Sequence, residues 1–208
     1  YLGQHEDVIT TGLVGLRLLG LKLSSNPGAI ILVRELLKTR WYLGRKKVED
    51  LLYLPRSTAL ENQAMMNLLI NLWGASFWLN RQNLYGAIVL QMFNQSLQFG
   101  NTNVSSVAYV CYGALITFLF KDEKNGYKFG ELALQLADEF GDMGLKSRVI
   151  FIFTAFLNHL RAPLTTSVDY FKQAFRYSLE AGDLVYATYC SDGIITTMPL
   201  AGYKLEEI

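Results

Sequence analysis

Three pairs, Gly100-Asn101, Gly141-Asp142 and Gly182-Asp183, follow one another at intervals of 41 residues (141 − 100 and 182 − 141), and this spacing constrains the fold more than any other feature. Each pair closes an apolar run of helical period. Glycine is the residue best able to take the left-handed conformation after a last turn, and Asn or Asp caps a helix that follows within a few residues. Other positions echo in the same register: Phe99 with Phe140, Ala114 with Ala155, Phe129 with Tyr170, Ala133 with Ala174, and Glu139 with Glu180. A unit of this length holding two helices cannot bury both apolar faces alone, so successive units must stack.

The pattern therefore predicts an all-α fold, a tetratricopeptide-like α-solenoid of antiparallel helix pairs with a repeat of about 41 residues. That is longer than the roughly 34 residues of a tetratricopeptide unit and within the range of HEAT repeats, which belong to the same physical class. β signals are scarce, with few strictly alternating runs and no Asn-Gly or Asp-Gly turn between two such runs. Ile9, Leu13, Leu16, Leu19 and Leu23 make a first apolar face, broken by Ser24 to Pro27. Pro27 suits the first turn of a helix running to about Gly44, and a short piece follows over Val48 to Leu52. Ser57-Thr58 with Glu61 reads as a capping box for a long helix to about Leu79. Further helices are expected near 83–99, 104–120, 127–140, 145–161, 165–181 and 184–198. The expected organisation is one helical-repeat domain over 1–208, less regular over 1–56 and built of stacked pairs over 57–208. The sequence opens at Tyr1-Leu2-Gly3-Gln4 without Met and reaches Leu205 to Ile208 as another helix is due. It reads as a piece of a longer polypeptide.

Composition narrows the function classes. With 12 Phe, 12 Tyr and 3 Trp the chain has the means to bury a core, which disordered segments lack. Nineteen basic residues stand against 18 acidic ones, so no global field draws the chain to nucleic acid or to an anionic membrane. The cluster Arg45, Lys46 and Lys47 is largely cancelled by Glu49 and Asp50. No charge occurs between Arg81 and Lys121. Asn94, Gln95, Gln98 and Asn101 to Asn103 interrupt that segment, however, and its apolar part falls short of the ~20 residues that span hydrocarbon, so it reads as buried helix and not as a membrane insertion. Cys111 and Cys190 lack any metal or disulfide spacing and read as reduced core residues of a cytoplasmic chain.

No catalytic constellation emerges. Gly141-Asp142-Met143-Gly144-Leu145-Lys146-Ser147 approaches a phosphate-binding loop, but Leu145 separates the glycine from the lysine and a helix precedes it where a strand is needed. His5 and His159 have no neighbouring second ligand, and His159 reads as an imidazole at a helix end. Glu61, Glu131, Asp138 and Glu139 read as solvated carboxylates. The expectation is a chain that is not an enzyme and takes no cofactor or metal.

Four stretches carry a resemblance: Glu6-Asp7-Val8-Ile9-Thr10-Thr11-Gly12-Leu13, Val48-Glu49-Asp50-Leu51-Leu52-Tyr53-Leu54-Pro55, Tyr127-Lys128-Phe129-Gly130-Glu131-Leu132-Ala133-Leu134, and Glu180-Ala181-Gly182-Asp183-Leu184-Val185-Tyr186-Ala187. Together they resemble the helical-repeat region of large bacterial multidomain signalling proteins. There this region follows a STAND-type ATPase domain, often with a protein kinase domain upstream and sensor and histidine-kinase modules downstream. The resemblance implies a regulatory module that contacts a protein partner or other domains of the same polypeptide; alternatively, the module senses a small-molecule inducer in its groove. The family's phosphate loop, kinase loops and phospho-accepting His lie outside this segment, so no catalytic residue carries over. In a solenoid the first helices of successive pairs line a concave groove. Period-related positions on those helices put Thr117, Arg148, Thr154, Asn158, Tyr189 and Asp192 there, with the Asp192 carboxylate expected to face Arg148.

Overall fold

In the computed structural model, which describes residues 2–204 and Glu206, every regular element is helical. The helices are α1 (Leu2–Leu18), α2 (Ala29–Leu43), α3 (Leu60–Trp78), α4 (Gln82–Phe99), α5 (Ser105–Phe120), α6 (Glu123–Phe140), α7 (Met143–Phe156), α8 (Leu164–Glu180) and α9 (Leu184–Leu200), with 3₁₀ turns at Val48–Tyr53 and Asn158–Leu160. No strand forms among the described residues; Arg56 and Asn101 meet in one isolated bridge. The helix start expected over 205–208 falls, apart from Glu206, outside the described residues. The chain divides into two compact units, Tyr1–Ala108 and Tyr109–Ile208.

In the first unit α1 packs on α3, α2 on α4 and α3 on α4. Met66, Leu69 and Leu72 of α3 and Leu84, Ile88, Met92 and Phe93 of α4 are essentially inaccessible. One polar contact is set into this apolar interior. Glu35 of α2 is fully buried, and its Oε1 accepts from Arg34 Nη2 and Lys38 Nζ, both at 3.0 Å. From α4, Asn94 Nδ2 donates to the Glu35 carbonyl at 3.2 Å, while the Thr39 hydroxyl donates to Asn94 Oδ1 at 2.8 Å.

The second unit chains its helices in sequence, α6 on α7, α7 on α8 and α8 on α9, with α7 also reaching α9. Consecutive helices thus pack as pairs. Where α5 meets α6 the backbones touch: a Cβ on Gly113 would lie 2.7 Å from the Gly126 carbonyl oxygen, and one on Gly126 would overlap the Thr117 hydroxyl and lie 2.8 Å from the Gly113 carbonyl oxygen.

The repeat junctions take the expected form twice in three. Gly141 has φ 70° and ψ 12°, and Asp142 accepts from Leu145 N at 3.0 Å. Gly182 has φ 71°, and Asp183 accepts from Tyr186 N at 3.2 Å. Gly100 also has a positive φ of 95°, but its ψ of 172° is extended. Asn101 instead donates from its backbone to the Pro55 carbonyl at 2.8 Å and from its side chain to the Leu51 carbonyl at 2.9 Å. Ahead of α5, the Ser105 hydroxyl accepts from Thr102 N at 2.9 Å.

Three other expectations are corrected. The Ser57-Thr58 capping box does not form: α3 begins at Leu60, and the Ser57 hydroxyl accepts from Asn62 Nδ2 at 2.8 Å. Helix α6 starts at Glu123 and not at Tyr127, because Asp122 caps it by accepting from Asn125 N at 3.2 Å. Helix α7 stops at Phe156, short of Arg161, since Asn158 turns to donate its amide to Thr166 and Ser167 of α8 at 2.9 and 2.8 Å. Among the described residues no helix is long and apolar enough to cross a membrane.

Candidate functional site

The second unit contains a cleft of about 340 Å³ between the end of α7, the start of α8 and the middle of α9. Its aromatic wall is built around Phe151, whose ring centroid lies 5.9 Å from Phe171 and 5.7 Å from Tyr189. Gly193, in the interior of α9, explains how Phe171 fits: a Cβ there would stand 2.8 Å from the ring, so the phenyl group packs directly on the helix backbone. A glycine inside a helix is about 1 kcal/mol less favourable than alanine, and this close approach is what it permits.

The polar wall comes from Thr154, Ser167, Asp192, Thr196 and Thr197, with His159 at the α7 end. Thr154 donates its hydroxyl proton to the Ile150 carbonyl at 2.6 Å, and Thr196 donates to the Asp192 carbonyl at 2.7 Å. Asp192 itself is exposed, halfway along α9.

Behind this wall, Arg148 and Asp183 organise the start of α9. Arg148 donates from Nη2 and Nε to Asp183 Oδ2 at 2.7 and 3.1 Å, and its guanidinium carbon sits 5.0 Å from the centroid of the Tyr186 ring. Asp183 therefore caps α9 with one oxygen and holds Arg148 with the other. Burial pushes the Tyr186 hydroxyl well above the usual phenol range, an effect the nearby Arg148 partly offsets. Burial likewise raises Tyr189, with Asp183 adding to it. Cys190, on the inner face of α9, is pushed up to about 12 by burial.

The six positions expected to line a groove are distributed unevenly. Thr154, Tyr189 and Asp192 do meet in the cleft. Asn158 is buried behind it, where its amide holds the Ser167 hydroxyl that lines the wall. Arg148 is taken by Asp183 and not, as expected, by Asp192. Thr117 lies elsewhere, buried against Gly126 with its hydroxyl donating to the Gly113 carbonyl at 2.9 Å. Phe151, Phe171, Gly193 and Thr196 also line the cleft, and the 41-residue period singled out none of them. A glycine inside an apolar helical run was the available signal, since it marks a place where something approaches the backbone. Among the described residues no three of His, Cys, Asp and Glu are grouped so as to hold a metal ion.

No protein-family model matches the chain, and no solved structure matches it. A signalling protein does. The chain is 31% identical over 134 residues to the hybrid signal transduction histidine kinase G of Dictyostelium discoideum. The match takes in 64% of this chain and 4% of that kinase, so it concerns a small part of a much longer protein.

Proposed function

We propose that this chain is a non-catalytic regulatory module of a multidomain signal-transduction ATPase or kinase in the cytoplasm, a tetratricopeptide-like solenoid that takes up a small-molecule inducer in the α7–α8–α9 cleft. The consecutive pairing of helices α6 to α9 and the Gly-Asp junctions one period apart support the solenoid. The likeness to part of a histidine kinase supports the signalling role. One observation favours a small ligand over an extended groove partner: Thr117, Arg148, Thr154 and Asn158 spend their polar groups inside the fold, while the aromatic cleft beside Asp192 is open to solvent. Its volume falls within the range of small-molecule sites, about 300 to 1,000 Å³.

The test is a fragment screen on the 208-residue chain by ligand-observed NMR, followed by methyl spectra. Binders should shift Ala155, Leu164 and Thr196 and lose affinity when Phe171→Ala opens the wall. Hits that map to other surfaces, or no hits at millimolar concentration, overturn the proposal.

A second reading, docking of a protein partner or of another domain of the same polypeptide, draws on α2. Ile30, Val33, Leu37 and Trp41 form one exposed apolar row there, with Ile30 85% and Trp41 76% accessible. Leu37→Glu should abolish such docking without touching ligand binding at the cleft.

A further inference from the structure

We infer that the cleft selects a protonated amine carried on a flat or aliphatic body; this rests on the proposal that the cleft is a small-molecule site. Three features of its wall converge on that chemistry. The Asp192 carboxylate is exposed at the mouth, and among the described residues no lysine or arginine lines the cleft. Its other titratable lining groups are His159 and Tyr189.

The hydroxyls are the second feature. A threonine hydroxyl has one proton and two lone pairs. Thr154 and Thr196 have given their protons to the Ile150 and Asp192 carbonyls, at 2.6 and 2.7 Å, so what they offer a ligand is lone pairs. Ser167 already accepts from Asn158. Together with the Asp192 carboxylate, these lone pairs match a ligand that brings N–H donors.

The aromatic wall is the third. Phe151, Phe171 and Tyr189 present ring surface further in, and Phe171 is buried. Ring faces attract cations within about 6 Å of a centroid and shed water from an apolar body. An ammonium at the mouth beside Asp192, with its carbon skeleton against Phe151 and Phe171, satisfies both walls. A carboxylate placed there would face Asp192 with no lysine or arginine to meet it, and a neutral alcohol would forgo the charge.

Three probes of matched skeleton separate these cases: 2-phenylethylamine, 2-phenylethanol and 3-phenylpropionate, titrated into the 208-residue chain at neutral pH and followed by the Thr154 and Thr196 methyl resonances. The amine should bind at least tenfold tighter than the alcohol, and the acid weakest. Asp192→Asn should bring the amine to the level of the alcohol and leave the alcohol unchanged, with no change in melting temperature because the side chain is exposed. If the acid binds best, or if Asp192→Asn preserves the preference for the amine, the inference of a cationic ligand is overturned while the cleft stands as a site. If none of the three shifts the cleft resonances, the cleft reading falls and takes the inference with it.

Discussion

Gly126→Ala puts the backbone contact between α5 and α6 to a quantitative test. Helix propensity alone favours the change, by about 0.5 to 1 kcal/mol. The structure opposes it on two sides. The new methyl group would overlap the Thr117 hydroxyl, which cannot swing aside without leaving its 2.9 Å bond to the Gly113 carbonyl, and Thr117 is only 7% exposed. It would also press on that carbonyl oxygen at 2.8 Å, which is main chain and yields only if the helices separate. Overfilling a packed contact costs about 1 to 3 kcal/mol, and two obstacles, one of them backbone, put this case at the upper end. The expected net loss is about 2 kcal/mol, read as a lower urea midpoint by circular dichroism at 222 nm. Thr117→Ala removes one obstacle, so the double variant should be more stable than the sum of the single losses by about 1 kcal/mol, within the range found for residues in contact. A neutral or stabilising Gly126→Ala, or strict additivity in the cycle, would refute a backbone-to-backbone crossing at this point.

Gly141→Val, at φ 70°, should cost about 1 to 3 kcal/mol because a β-branched residue is strained in the left-handed region; an unchanged denaturation midpoint counts against the cap. Asp142→Ala should cost about 1 kcal/mol as the loss of an N-cap, and Asp183→Ala up to about 1 kcal/mol more because it also releases Arg148 from a partly exposed pair. Equal losses in the two variants would show that the ion pair adds nothing. Cys190, its thiol raised to about 12 by burial, should resist a thiol reagent at pH 8 until the chain is unfolded. Between the ordinary thiol pKa of about 8.5 and that value, the folded chain keeps a proton that the unfolded chain has lost, so stability should fall as pH rises through this window. The fall should be shallower in Cys190→Ala, and identical slopes for the two proteins would contradict the assignment.

Helix content and pairing were legible because they rest on local rules: a glycine that takes positive φ, an aspartate at an N-cap, an apolar period. Gly141-Asp142 and Gly182-Asp183 obey those rules. Gly100-Asn101 looks the same in one dimension, yet the carbonyls of Leu51 and Pro55 claim the asparagine. That contact spans about fifty residues of sequence, and no local rule anticipates it. The site was legible by half for a similar reason. Thr154, Tyr189 and Asp192 line one cleft. The period orders positions but says nothing about which partner a charged side chain finds, and Asp183, already at the head of α9, lay nearer to Arg148 than Asp192 did. The aromatic wall escaped because Phe151 and Phe171 have the spacing expected of ordinary core.

A chain assembled from look-alike helices faces an error that ordinary domains do not, since any helix could dock in a neighbour's slot and still bury its apolar face. Apolar contacts alone discriminate poorly among such slots. The contact beside Glu35 adds discrimination: with α2 misplaced, the buried Asn94 amide loses both the Glu35 carbonyl and the Thr39 hydroxyl, and a buried polar group left unpaired costs on the order of 1 to 3 kcal/mol. Misplacement by one turn or one helix is therefore penalised, and the contact favours the register that sets α2 opposite Asn94 on α4.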